Sequence, residues 1–101
     1  ASSSAASDVY KRQEELFELA KLIESMENIN LKGIMALPKL TNDKKEREFM
    51  MKSVVDLSFQ LQKKYPDASV ISLGTTSDFE DAIIQGSNML RIGESIFGKR
   101  L

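Results

Sequence analysis

Ile71-Ser72-Leu73-Gly74-Thr75-Thr76-Ser77-Asp78-Phe79-Glu80 and, further on, Met89-Leu90-Arg91-Ile92-Gly93-Glu94-Ser95-Ile96-Phe97-Gly98 decide the reading of this chain. Each stretch leaves a short apolar run, passes through small or hydroxylated residues and enters a helical pattern. A helix start carries backbone N–H groups without intrahelical partners, which attract anions. Two successive strand-to-helix turns of this kind predict an α/β fold with a phosphate-sized anion at the C-terminal ends of neighbouring strands, where α/β folds place their ligands.

Working outward, Leu31-Lys32-Gly33-Ile34-Met35-Ala36-Leu37 is a largely apolar run closed by Pro38, the form of a strand covered on both faces. Ala68 to Leu73 and Asn88 to Ile92 predict two further strands. Leu16, Leu19, Ala20, Ile23 and Met26 recur at helical spacing and predict a helix over 14–27. Asn42 or Asp43 can cap a longer helix whose buried stripe is expected at Met50, Val54, Leu57 and Leu61, stopped by Tyr65-Pro66. Ser77 with Glu80 has capping-box spacing for a third helix with Phe79, Ala82, Ile83 and Gly86 on one face, Gly86 supplying its C-terminal turn. Glu94 to Phe97 predicts a last helical turn.

The order helix, strand, helix, strand, helix, strand suits right-handed crossovers between parallel strands. A complete eight-fold barrel takes about 250 residues. With 101 residues, the chain corresponds to about three β/α units and is too short to close a barrel.

Composition narrows the chemistry. The chain has 14 Lys and Arg against 15 Asp and Glu, a formal net charge of -1, with no Cys and no His. That balance gives no electrostatic case for nucleic acid or an anionic membrane. Disulfides, Cys/His metal sites, Ser-His-Asp triads and Cys-His pairs are excluded by residue type. No run reaches the ~20 apolar residues of a membrane span, and a cytoplasmic setting is the default expectation. Residues 1–7 are only Ala and Ser, a composition expected to stay disordered. Asp8-Val9-Tyr10-Lys11-Arg12-Gln13 resembles one reading frame through a sequencing-library adapter. We therefore expect residues 1–13 to be an appended tail and 14–101 to carry the domain.

In the first turn, Gly74 permits a sharp exit from the strand, and Thr75, Thr76 and Ser77 offer hydroxyls suited to phosphate oxygens. Read alone, the turn is more simply a Ser77 helix cap with the two threonines solvating a loop. In the second turn strand alternation puts Arg91 and Gly93 on one face with Ile92 opposite, and Gly93 lets backbone approach a ligand closely. The plainer reading pairs Arg91 with Asp78, Glu80 or Glu94 and makes Gly93 a tight corner.

Leu31 to Pro38, Leu73 to Ile83, Gly86-Ser87 and Arg91 to Arg100 together resemble the C-terminal portion of the pyridoxal phosphate homeostasis protein family, in order and with family-like spacing. The resemblance implies α/β architecture: the C-terminal three β/α units of a (β/α)8 TIM-like barrel, alanine racemase N-terminal-domain-like and incomplete. It also implies the cofactor pyridoxal 5'-phosphate. Arg91 would face the ring nitrogen, and the backbone N–H groups of Gly93 and Glu94 would bind the phosphate, with the Glu94 carboxylate turned away. Thr75 and Thr76 stand where the family has Met-Ser, so Thr76 keeps the hydroxyl while Thr75 makes the wall more polar. Ser72 and Met35 either line the barrel interior or simply pack.

The family's Schiff-base lysine belongs to an early strand that nothing here resembles; Lys32, Lys39 and Lys99 fall on the wrong elements. The resemblance therefore implies a cofactor carrier in vitamin B6 and amino-acid homeostasis without known catalytic activity. The small-molecule cofactor is its expected partner, and the full-length parent is expected to be monomeric. The competing enzyme reading is part of a pyridoxal-phosphate-dependent amino-acid racemase, which would continue into a β-rich domain with a catalytic tyrosine. A third reading is a small module that docks protein through its unpaired sheet edge.

Overall fold

The computed structural model describes residues 2–37 and 42–98. Two compact units divide it, Ala1–Lys32 and Gly33–Leu101. The first is helix α1, Ser2–Glu24, followed by a turn in which the Ser25 N–H and Oγ both donate to the Leu22 carbonyl, at 3.2 and 2.6 Å. A hydroxyl that occupies a helical carbonyl competes with helix propagation, and α1 ends three residues before the expected Glu27. At its other end it starts at Ser2, well before the expected Glu14. No Gly or Pro precedes Gly33, and a helix once nucleated extends at low cost per residue. Leu16, Ala20 and Ile23 are covered as expected, whereas Leu19 and Met26 are exposed.

The second unit runs β1 (Gly33–Met35), α2 (Lys44–Lys64), β2 (Val70–Thr75), α3 (Phe79–Gln85), β3 (Met89–Arg91) and α4 (Glu94–Phe97). Its strands form one parallel sheet in the order β1-β2-β3, with Ile34 beside Ile71, Met35 beside Ser72, and Ser72 beside Met89. The strands are shorter than expected at β1 and β3, and β2 is shifted two residues onward to include Gly74 and Thr75. The expected stop at Pro38 lies outside the described residues, as do Lys39, Lys99 and Arg100.

Asp43, one of the two expected caps, closes α2: its carboxylate accepts from the N–H groups of Lys45 and Glu46 at 3.0 and 3.4 Å. The buried line on α2 is Met51, Val55, Ser58 and Leu61 rather than Met50, Val54, Leu57 and Leu61, whose first three members are only half-buried. Both lines lie within one ~100° apolar stripe; the small Ser58 lets the helix approach closely along its centre. The expected cap of α3 is also corrected. Asp78, not Ser77, occupies the N-cap and makes no forward capping bond. Gly86 does end α3, with φ +120° and its N–H on the carbonyls of Ala82 and Ile83. Ala82 is buried, but Ile83 faces solvent.

Met51, Val55, Ile71, Leu73 and Ala82 form the core, with Ala36, Val54 and Leu90 packed against it. Arg47 joins α2 to α3 through Asp81, with Nη2 and Nε at 3.0 and 3.1 Å from Oδ2. Because α2 and α3 supply this core from one side, the helices cover a single face of the sheet, as in a barrel sector and unlike a doubly wound sheet. The other face carries the row Met35, Ser72 and Met89. Met35 and Leu37 are exposed, and Ser72 is buried.

Candidate functional site

The C-terminal ends of β2 and β3 are brought level by an irregularity in their pairing. Ser72 pairs with Met89 and Thr75 with Arg91. Between those pairs β2 carries Leu73 and Gly74 while β3 carries only Leu90, the two-against-one count of a β-bulge. Gly74 has φ +102°, and a Cβ there would lie 2.7 Å from the Ala82 Cβ and 3.0 Å from the Leu90 Cδ2. Leu73 and Gly74 thus both point toward α3, and the parity of the strand is reversed at its tip. Thr75 consequently stands beside Arg91 instead of sharing the face of Leu73.

Thr75, Thr76, Arg91, Ile92, Gly93, Glu94, Phe97 and Gly98 line a cavity of about 860 Å³ at this end of the sheet. All five residues expected from sequence are therefore brought together. Ile92 joins them, contrary to the expected alternation, because β3 ends at Arg91 and the extended geometry does not continue.

Each turn has its own internal order. The Asp78 Oδ1 accepts from the Thr75 N–H at 2.8 Å and from the Thr75 hydroxyl at 3.1 Å, and the Asp78 N–H returns a bond to the Thr75 carbonyl at 3.2 Å. Thr75 is thus part of the wall, its hydroxyl proton already given to Asp78. Thr76 reaches across to the second turn, where its Oγ1 accepts from both the Ser95 N–H and the Ser95 Oγ at 3.2 Å. Gly93 caps α4, accepting at its carbonyl from Ile96 and Phe97 at 3.0 and 2.8 Å. Among the described residues, the N–H groups of Gly93 and Glu94 meet no acceptor.

Arg91 lies across the sheet rather than in an ion pair with Asp78, Glu80 or Glu94. Its Nη2 donates to the Ala36 carbonyl at 2.7 Å, just past the end of β1. Its Nε is buried and has no partner among the described residues. An unmatched buried donor costs about 1–3 kcal/mol, more when charged. A Cβ on Gly93 would meet nothing within 4 Å, leaving room for a ligand against that backbone. The free donors, the cationic guanidinium and this opening together suit an anionic ligand. Among the described residues no cluster of His, Cys, Asp or Glu could hold a metal ion.

Ser95 escaped the sequence reading, and Asp78 entered it only as a partner for Arg91, although both lie inside the quoted turns; their helix-start positions were the available signal. Ser87 and Asn88 hold β2 to β3 from below. The Ser87 Oγ accepts from the Leu73 N–H at 3.2 Å and lies 2.7 Å from the Leu73 carbonyl, while Asn88 accepts from the Ile71 N–H at 2.7 Å and donates to the Ser69 carbonyl at 2.8 Å. No described helix is long and apolar enough to cross a membrane.

Comparison with known proteins agrees with this architecture. The chain is similar to the pyridoxal phosphate homeostasis proteins of Vibrio cholerae, 37% identical over 87 residues, and of Escherichia coli K12, 38% identical over 87 residues. It covers 37% of the length of each and is itself covered to 86% and 85%. The protein of that name from Buchnera aphidicola of Baizongia pistaciae is 44% identical over 85 residues, and the chain spans 38% of it. Among solved structures, PipY of Synechococcus elongatus with PLP bound superposes with a TM-score of 0.68 at 23% identity, over 85% of this chain and 40% of that one. That superposition carries the fold, and it identifies the three parallel strands and their helices as part of a larger barrel. Residues 11–100 match the model of the alanine racemase, N-terminal domain, family, and the chain belongs to that family.

Proposed function

We propose that this chain provides the phosphate and ring-nitrogen side of a pyridoxal 5'-phosphate site in a cofactor-binding protein of vitamin B6 and amino-acid homeostasis. The observation that carries the reading is that Arg91 and the open N–H groups of Gly93 and Glu94 border one cavity. The names of the curated relatives and the ligand of PipY support it. Arg91 would donate to the pyridine nitrogen, Gly93 and Glu94 would bind phosphate oxygens through their backbone, Thr76 would add its hydroxyl, and Thr75 would form the wall. Bound pyridoxal phosphate supplies an electron sink whose strength depends on protonation of that nitrogen. An arginine donor keeps the nitrogen unprotonated and weakens the sink, which favours carriage over broad amino-acid catalysis.

The parent protein, on this reading, is cytoplasmic and monomeric, binds neither nucleic acid nor membrane, and has residues 14–101 as its domain portion, with 1–13 appended. The racemase alternative takes its support from the family's name; a β-rich segment encoded downstream would favour it. The test is cofactor titration of the chain. Gly93→Val adds bulk where the protein leaves space, so the fold should persist while affinity for pyridoxal phosphate falls at least tenfold, and Arg91→Ala should lower it as well. Undiminished binding by the double variant Arg91→Ala/Gly93→Val refutes the assignment.

A further inference from the structure

Of the two threonines that line the cavity, only Thr76 has a hydroxyl proton not already committed to the protein, since the proton of Thr75 goes to Asp78. A hydroxyl has two lone pairs and one proton. On Thr76 both lone pairs receive donors from a single residue, the backbone N–H and the Oγ of Ser95, each at 3.2 Å. With both acceptor positions occupied, the remaining valence of Thr76 is its own O–H.

We infer that Ser95 is a positioning residue that makes the Thr76 hydroxyl an obligate donor, so that the site selects a fully ionised phosphate over a protonated one or an alcohol. This rests on the cavity being the pyridoxal phosphate site. A phosphate dianion offers only acceptors, whereas below its second pKa of about 6 it carries a proton that must itself be accepted. A Thr76 free to rotate could receive that proton; a Thr76 saturated by Ser95 cannot. Ser95 also joins the loop after β2 to the first turn of α4, so one side chain sets both the spacing of the two turns and the polarity of the hydroxyl between them.

The test uses the full 101-residue chain and four variants, Ser95→Ala, Ser95→Thr, Thr76→Val and Ser95→Ala/Thr76→Val. Each is titrated with pyridoxal phosphate, inorganic phosphate and pyridoxal at pH values about 1.5 units above and 1 unit below the second phosphate pKa. Ser95→Ala should weaken pyridoxal phosphate about three- to tenfold, the range of one hydrogen bond between neutral groups, and should narrow the preference for the higher pH. Ser95→Thr should restore both, the double variant should be no worse than Thr76→Val, and pyridoxal binding should not change. Amide spectra that overlay outside the two turns establish that each variant is folded. Unchanged phosphate binding in Ser95→Ala, strict additivity with Thr76→Val, or an equal loss for pyridoxal overturns this inference alone. An unmodified chain that binds neither pyridoxal phosphate nor inorganic phosphate overturns the cofactor reading and this inference together.

Discussion

Gly74→Ala should be among the most damaging single-methyl additions available to this fold. Two costs combine. The backbone at φ +102° is one that L-residues adopt only with strain, on the order of 1–3 kcal/mol. The new methyl would also meet the Ala82 Cβ at 2.7 Å, the Leu90 Cδ2 at 3.0 Å and the Phe79 Cα at 3.2 Å, and overpacking of a closed core costs about 1–3 kcal/mol. A loss of roughly 2–6 kcal/mol stands against a stability on the order of 3–10 kcal/mol for a unit the size of Gly33–Leu101. Ala82→Gly removes the nearest contact while itself costing about 1 kcal/mol in a helix, and it leaves the strained φ untouched. The double variant should therefore be less destabilised than the sum of the two singles, by about 1 kcal/mol. Urea unfolding at low micromolar concentration, followed by circular dichroism, measures all four corners of the cycle. A Gly74→Ala midpoint within experimental error of the parent, or strict additivity with Ala82→Gly, would show that the bulge is not packed as described.

Three further outcomes are expected. Ser87→Ala withdraws the hydroxyl that serves the Leu73 N–H and carbonyl and should cost about 1–3 kcal/mol, with faster amide exchange at Leu73 as its local signature. Asp43→Ala should lower stability by about 1 kcal/mol through loss of the α2 cap, while Asp43→Ser should recover most of it in the same urea assay. Asp81→Asn should cost under about 1 kcal/mol because the Arg47 pair is partly exposed, and the difference from the parent should shrink as salt is raised.

Fold class was legible because each element leaves a local mark. Pro66 ends α2, Gly86 ends α3, and the apolar runs around Ile34, Ile71 and Leu90 have strand length. The buried line on α2 was missed by one residue, since Met50 and Met51, or Val54 and Val55, are equally apolar and only the position of the sheet decides between them. The cap of α3 was misassigned because Ser77 and Asp78 are both good caps; Asp78 reaches backward to Thr75, a preference that depends on the bulge. That Thr75, Thr76, Arg91, Gly93 and Glu94 lie around one cavity was readable from the two turns and the family resemblance. Their connections were not: that Arg91 rests on Ala36, and that Ser95 saturates Thr76, follows from pairing between segments far apart in sequence.

The bonds that Ser87 and Asn88 make to β2 bear on the order in which the chain assembles. The stretch from Val70 to Arg91 contains two strands, a helix and their side-chain ties, all closed over a shorter loop than the one linking β1 to β2 through α2. Loop-closure entropy rises with the logarithm of loop length, by about 0.6 kcal/mol per doubling, so β2-α3-β3 should be the folding nucleus and β1 a late arrival. Pulse-labelled amide exchange during refolding should find Leu73 and Leu90 protected before Ile34. On a ribosome the same order would leave β1 and α2 waiting, already synthesised, for a partner that emerges after them.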